Sequence, residues 1–261
     1  MAAPAVTFAF LAGLPRSGST LLGALLNQHP DVYASPTSPV CDLMWAAREQ
    51  YLGSEQALAY PEIGAPGRIT RGILHGYFSE RPEPVIVDKC WTWGTPGNVA
   101  VLREALMDEP RIITTTRPVI EVLASFIRLM RQTPGSRLEP PPSRLPIDDA
   151  RCDWLMRPGG DIDRALWGMA HAREQGVSLE VPYADLVSDP AGVMAGVWDF
   201  LGVDPAEPDT VNVVNVTRER DADAYGLPTL HEVRPLIERT SPEPQDVLSD
   251  YVLTKYGATV I

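Results

Sequence analysis

Near the start of the chain, Gly13-Leu14-Pro15-Arg16-Ser17-Gly18-Ser19-Thr20-Leu21-Leu22 concentrates the residue types that bind anions. Two glycines bracket a guanidinium and a hydroxyl, and two more hydroxyls follow. With successive backbone N–H groups, such a set closes around a phosphate. The spacing nearly repeats the P-loop, G-x-x-x-x-G-K-[ST], but Ser19 stands where the lysine belongs. Arg16 is the one full positive charge within the loop. Nucleotide triphosphatases use that lysine and a Mg²⁺-bound hydroxyl to manage β- and γ-phosphates. A loop without it suits a single terminal phosphate, held by Pro15, Arg16, Ser17, Gly18, Ser19 and Thr20. A tight strand-to-helix turn would share the bare two-glycine pattern for steric reasons alone. The packing of Arg16, Ser17, Ser19 and Thr20 around the glycines favours the anion-binding reading.

The flanks supply the elements such a loop needs. Val6 to Ala12 is an apolar run of strand formers, and Thr20 to Leu26 reads as a helix that stops before Pro30. Two further strand-like runs end in charge, Pro84–Lys89 with Asp88-Lys89 and Arg111–Arg117 with Arg117. Ser178–Val181 is a fourth strand. Helical periodicity covers 40–52, 68–78, 98–107, 119–130, 161–174 and 191–201, with a final helix near 244–255. Asp31 to Pro39 reads as a turn-rich connection. The segment 132–148 carries five prolines and reads as a loop or lid, because strand-helix alternation resumes after it. The pattern predicts an α/β fold in a single domain over 1–261, a three-layer parallel sheet with helices on both faces. Residues 204–261 form a turn-rich C-terminal region partly covering the site. Ligands of such sheets sit at the carboxyl ends of the strands, so the Gly13–Thr20 loop, Lys89 and Arg117 should meet in one crevice.

Composition narrows the function. The chain carries 22 basic and 34 acidic residues, a net charge of −12. That balance argues against nucleic-acid or anionic-membrane partners, so the basic residues of any polyanion site must be concentrated locally. Cys41, Cys90 and Cys152 are widely spaced, which suggests neither a disulfide framework nor a cysteine metal site and fits a reducing compartment. No apolar run reaches membrane-spanning length. The N-terminal apolar run lacks a preceding basic segment, so a cytoplasmic location is expected.

Taken together, these residues resemble those of sulfotransferases that use 3′-phosphoadenosine 5′-phosphosulfate (PAPS), the bacterial branch related to tyrosylprotein sulfotransferases in particular. Gly13–Leu22 is similar to that family's 5′-phosphosulfate loop. Arg117 followed by Ser125, in Arg-Pro-Val-Ile-Glu-Val-Leu-Ala-Ser-Phe, is similar to its 3′-phosphate motif. Lys89 resembles the strand-end lysine. Tyr183 in Pro-Tyr-Ala-Asp-Leu-Val-Ser-Asp-Pro, with Phe200-Leu-Gly, resembles a late family signature. The resemblance runs from about Phe8 to Gly202. It implies a transferase moving a sulfuryl group from PAPS to a hydroxyl of a small-molecule acceptor, in line and without a covalent intermediate. 3′,5′-Adenosine bisphosphate (PAP) would be the product and no metal would be required. Arg16 would hold the 5′-phosphate, Lys89 would offset charge on the bridging oxygen, and Arg117 and Ser125 would bind the 3′-phosphate. Taken singly, each has a plainer reading: a solvated Lys89, an Arg117 paired with Glu121, an incidental Ser125, a packing Tyr183. A P-loop kinase of a small metabolite and a non-catalytic nucleotide-binding module remain the alternatives.

Sulfuryl transfer to a hydroxyl calls for a general base, worth about 10²–10⁴ in rate. In the tyrosylprotein branch a glutamate and an arginine lie shortly after the motif corresponding to His29-Pro30-Asp31-Val32. Here that region, around residue 37, reads Ser35-Pro36-Thr37-Ser38-Pro39 and contains no carboxylate. The candidates are Asp42, Glu49, His75 and His231. His231 is preferred because it lies in the polar 221–234 stretch, and loops of this kind carry function. In related enzymes a C-terminal loop closes over the cofactor, which makes Arg234 or Tyr225 a further contact.

Overall fold

The computed structural model describes residues 6–133, 140–215, 223, 226, 230–239 and 243–259. Five strands, β1 (Thr7–Gly13), β2 (Val32–Thr37), β3 (Val85–Lys89), β4 (Ile112–Thr116) and β5 (Ser178–Pro182), form one sheet in the order β2-β3-β1-β4-β5. All four pairings are parallel. This is the expected α/β architecture, with one more strand than the sequence suggested. Residues 31–39 are no simple connection: Val32 to Thr37 form the edge strand β2. Its turn-like residues are tolerated because Pro36 sits where an edge strand can forgo a ladder bond, at a register shift between Ala34 and Thr37.

Among the described residues the helices are α1 (Ser19–Leu26), α2 (Val40–Leu52), α3 (Glu55–Ala59), α4 (Ala65–Tyr77), α5 (Pro96–Leu106), α6 (Val119–Gln132), α7 (Ile147–Leu155), α8 (Asp161–Glu174), α9 (Tyr183–Ser188), α10 (Pro190–Leu201), α11 (Pro244–Val247) and α12 (Asp250–Tyr256). The period-2 alternation of β1 sorts them into layers. Phe8, Phe10 and Ala12 face Val40, Met44, Leu74, Val99 and Leu102 of α2, α4 and α5. Ala9 and Leu11 face Leu22, Leu25, Leu26, Met194 and Trp198 of α1 and α10. Fully burying one large apolar side chain contributes about 1.5–3 kcal/mol, so β1, buried on both faces, is the mechanical centre of the sheet.

A third cluster lies beyond the sheet. Leu14 packs with Val122, Leu123 and Ile127 of α6, Cys152 of α7, Ile162 of α8 and Val252 of α12. The 132–148 segment is framed by α6 and α7, and its residues 134–139 lie outside the described residues. The single C-terminal helix expected over 244–255 is instead two. Leu248 is extended, and Ser249 restarts the chain by accepting from Val252 N while donating to Asp149 Oδ1 at 2.7 Å. The side-chain cap at Ser249 makes the interruption.

Candidate active site

Parallel β1, β3 and β4 end side by side, which puts Gly13, Lys89 and Thr116-Arg117 at one edge of the sheet. The turn after β1 is bound tightly to β4. Gly13 has φ +118°, and a Cβ there would lie 2.3 Å from the Thr115 carbonyl oxygen, so only glycine fits. Gly18, at φ +93°, leads into α1, and a Cβ there would meet the Tyr183 ring at 2.8 Å. Between them Arg16 itself adopts φ +62°, a left-handed conformation costing about 1–3 kcal/mol outside glycine. Its surroundings hold it there. Arg117 Nη1 donates to the Arg16 carbonyl at 2.8 Å, and Arg16 Nε donates to Ser125 Oγ at 3.3 Å. The first intrahelical bond of α1 is Leu22 N–H to Gly18 O, so the N–H groups of Ser19, Thr20 and Leu21 precede it at the helix mouth.

These residues open onto a cavity of about 460 Å³. Pro15, Arg16, Gly18, Ser19, Thr20, Lys89, Arg117, Ser125, Tyr183, His231 and Arg234 all line it. Ser17 does not. It is fully buried, its hydroxyl donates to the Leu14 carbonyl, and Thr115 Oγ1 lies 2.6 Å away. Its side chain braces the loop instead of facing the cavity, which leaves only its backbone for a ligand.

Each cation is held by named groups. Lys89, 8% exposed, donates from Nζ to Thr20 Oγ1 at 3.1 Å. Its backbone N–H donates to Ser35 Oγ at 3.0 Å, and Ser35 in turn donates to Asp88 Oδ1 at 2.8 Å. Trp93 Nε1 donates to the other Asp88 oxygen at 3.0 Å. Burial pushes the Asp88 carboxyl upward, against the hydrogen bonds from Ser38, Ser35 and Trp93 that favour its charged form. Arg117, 4% exposed, pairs with Glu121 at 3.2 Å and lies 4.4 Å over the Tyr183 ring. The plainer pairing of Arg117 with Glu121 and its position in the cavity therefore coexist. Arg16 also donates to the Leu230 carbonyl. That contact ties the loop to the C-terminal segment, and Arg234 of the same segment pairs with Glu238 at 3.5 Å.

Of the base candidates, His231 lies at the cavity. Asp42 and Glu49 are on the exposed side of α2, and the His75 ring packs edge-on against Phe8, centroids 4.9 Å apart, on the helix-covered sheet face. None of these three is among the cavity's lining residues. Tyr225 lies outside the described residues. Several groups that the sequence reading passed over line the cavity: Thr37, Trp91, Arg128, Asp161, Glu232 and Glu238. Arg128 was discoverable, since it sits one helical turn beyond Ser125 on α6. Asp161, the first residue of α8, carried no local signal. The cavity collects Arg16, Lys89, Arg117, Arg128 and Arg234 against Asp161, Glu232 and Glu238. It is thus a locally cationic site on a chain of net charge −12.

A parallel sheet, a glycine-framed anion loop at its central strand and cations at the neighbouring strand ends define an α/β group-transfer fold. The sulfotransferase family model matches residues 9–208, and the chain belongs to that family. It is a sulfotransferase. Nodulation protein H of Rhizobium meliloti (strain 1021) is 28% identical over 216 residues, 76% of this chain and 78% of that protein. The sulfotransferase domain from the Synechococcus PCC 7002 olefin synthase aligns over 100% of this chain and 91% of its own, with TM-score 0.52 at 22% identity. Mouse sulfotransferase SULT7A1, in a structure complexed with PAP, aligns over 98% of this chain and 83% of its own, with TM-score 0.52 at 12% identity. At these identities the two structures speak for the fold. The family match extends to sulfotransferases as a whole and does not single out the tyrosylprotein branch.

Proposed function

We propose that the sulfonate donor is PAPS and that the acceptor is a hydroxyl of a small molecule, reached in the cytoplasm by direct in-line transfer. The observation that carries this reading is the meeting of Arg16, Lys89, Arg117 and Ser125, from three strand ends and one helix, in a single cavity. PAPS supplies an activated sulfuryl group on a 5′-phosphate. Sulfuryl transfer depends on positioning and charge stabilisation more than on covalent help from the protein. Arg16, with the N–H groups at the mouth of α1, suits the 5′-phosphate as it becomes the leaving group. Lys89, which donates to Thr20 Oγ1, would meet charge on the bridging oxygen. Arg117, held by Glu121 and Tyr183, suits a 3′-phosphate together with Ser125 and Arg234. Pro15, Gly18 and Ser19 complete the loop, and Ser17 contributes through its backbone and by bracing the turn. His231 is the base assigned to the acceptor proton. The arginines and lysine provide the positive charge that a metal provides in triphosphate enzymes, so transfer is expected to proceed without one.

The test is calorimetry with PAP in the absence of Mg²⁺. Tight binding supports the reading. Mg²⁺-dependent ATP binding with no response to PAP would overturn it in favour of a P-loop kinase. PAP binding without turnover of labelled PAPS, across a screen of hydroxyl acceptors, would leave a nucleotide-binding module.

A further inference from the structure

Two of the three cysteines meet in space although 41 and 90 are far apart in sequence. Cys90 directly follows Lys89 at the carboxyl end of β3, and Cys41 is the second residue of α2. α2 packs on the sheet face that carries Phe10, Ile86, Cys90 and Trp93, which brings its first turn to the end of β3. The two buried thiols come together at one side chain, Thr92. Both reach its hydroxyl, Oγ1, at 3.5 Å from Cys41 Sγ and 3.2 Å from Cys90 Sγ. An isolated buried cysteine behaves as a small inert hydrophobe. Cys152 is of that kind: it is enclosed between α6, α7 and α8, and burial with the nearby Asp148 and Asp149 pushes its thiol up to about 12.

The Cys41–Cys90 pair is chemically different. The neighbouring Cys41 lowers the Cys90 thiol, with help from Thr92 and against burial, while Cys90 and burial raise that of Cys41. Of the two, Cys90 is the easier to ionise and Cys41 the harder. Cys90 is buried, 7% exposed, in the core between its chain neighbours Lys89 and Trp91, so only a small oxidant would reach it.

We propose that Cys41 and Cys90 form an oxidative modification site that closes to a disulfide in response to a hydroperoxide. In the first step the Cys90 thiolate attacks the peroxide. The O–O bond breaks, a sulfenic acid forms, and with hydrogen peroxide the second oxygen leaves as water after taking a proton. Cys41 sulfur then attacks the sulfenic sulfur, the S–O bond breaks, and a second water leaves with the Cys41 proton. Two thiols are oxidised, one peroxide is reduced, and two waters are released. Thr92, bonded to both sulfurs, holds them on the approach to an S–S bond of about 2.0 Å. The bond would pin the first turn of α2 to β3 beside Lys89.

The experiment uses the full-length folded protein treated with hydrogen peroxide, then unfolded, alkylated and digested for mass spectrometry. The expected product is a dithiothreitol-reversible Cys41–Cys90 cross-linked peptide, with Cys152 recovered alkylated. Thr92→Val, which keeps the side-chain shape and removes the shared hydroxyl, should slow cross-linking several-fold. Recovery of Cys41 and Cys90 as separate alkylated or sulfinic residues would overturn the proposal, provided a C-x-x-C peptide treated in parallel does cross-link. A cross-link that formed equally fast in the unfolded chain would also overturn it, because the folded geometry would then contribute nothing.

Discussion

At the residue scale the site rests on two arginines that touch each other's surroundings. Arg117 donates to the carbonyl of Arg16, and Arg16 donates to Ser125, so the two proposed phosphate sites share one hydrogen-bonded frame. Their separate roles are nevertheless distinguishable. Arg117→Ala removes charge-assisted bonds worth about 1.5–3 kcal/mol each. It should weaken PAP by about 10- to 150-fold while changing adenosine 5′-phosphate far less, as read by calorimetry with both nucleotides. Equal losses would sink the 3′-phosphate assignment. Arg16→Ala is expected to lower sulfuryl transfer by at least about 100-fold, the scale of losing one preorganised donor at a developing charge. Turnover of labelled PAPS checks this, and activity retained in the variant would remove the loop from the mechanism.

At the scale of elements, the C-terminal helices act as a clasp on the layer beside the cavity. Asp153 of α7 accepts from Tyr251, Lys255 and Tyr256 of α12, at 2.8 to 3.0 Å. Burial pushes the Asp153 carboxyl up, but the bonds from Lys255, Tyr256 and Tyr251 outweigh it and hold it below 3.8. A carboxyl lowered on folding contributes stability that is present above its unfolded value and lost as pH falls through its folded one. The α12 amides should therefore exchange faster as pH drops below about 3.8, after correction for intrinsic exchange, and Asp153→Asn should flatten that dependence. Within the loop, Gly13→Ala drives a Cβ into the Thr115 carbonyl. A cost of at least about 1–3 kcal/mol is expected, visible as a lowered Tm.

For the molecule as a whole, the acidic chain and the cationic cavity set a clear contrast. A polyanion is repelled by most of the surface and attracted at one place. The structure links that place to the C-terminal segment through the bond from Arg16 to the Leu230 carbonyl, and through Arg239, which spans Glu121 and Glu243 at 3.9 and 3.3 Å. A nucleotide that engages the cavity should stabilise the whole fold by mass action. PAP at 100 times its Kd should add about 2.7 kcal/mol, seen as a Tm increase that exceeds the one given by adenosine 5′-phosphate at the same concentration.

What the sequence determined by itself was local. β1, β3, β4 and β5 followed from short apolar and β-branched runs, and the turn after β1 followed from Gly13 and Gly18, because those signals depend on neighbouring residues and backbone sterics. Where a residue's role depends on a distant partner, the sequence was silent or misleading. β2 was hidden by Ser35, Pro36 and Thr37, which are turn formers, yet pairing with β3 makes an edge strand of them. Ser17 looked like a ligand-facing hydroxyl until Thr115 and Leu14 engaged it. The sequence raised a missing carboxylate near residue 37, while the fold brings Asp161, Glu232 and Glu238 to the cavity from segments far down the chain. The meeting of Cys41 and Cys90 at Thr92 likewise exists only because α2 packs on the face of the sheet that carries Cys90. The strand order β2-β3-β1-β4-β5 determines which strand ends and which helix starts converge. That order is chosen by burial over the whole sheet, and no local pattern of residues encodes it.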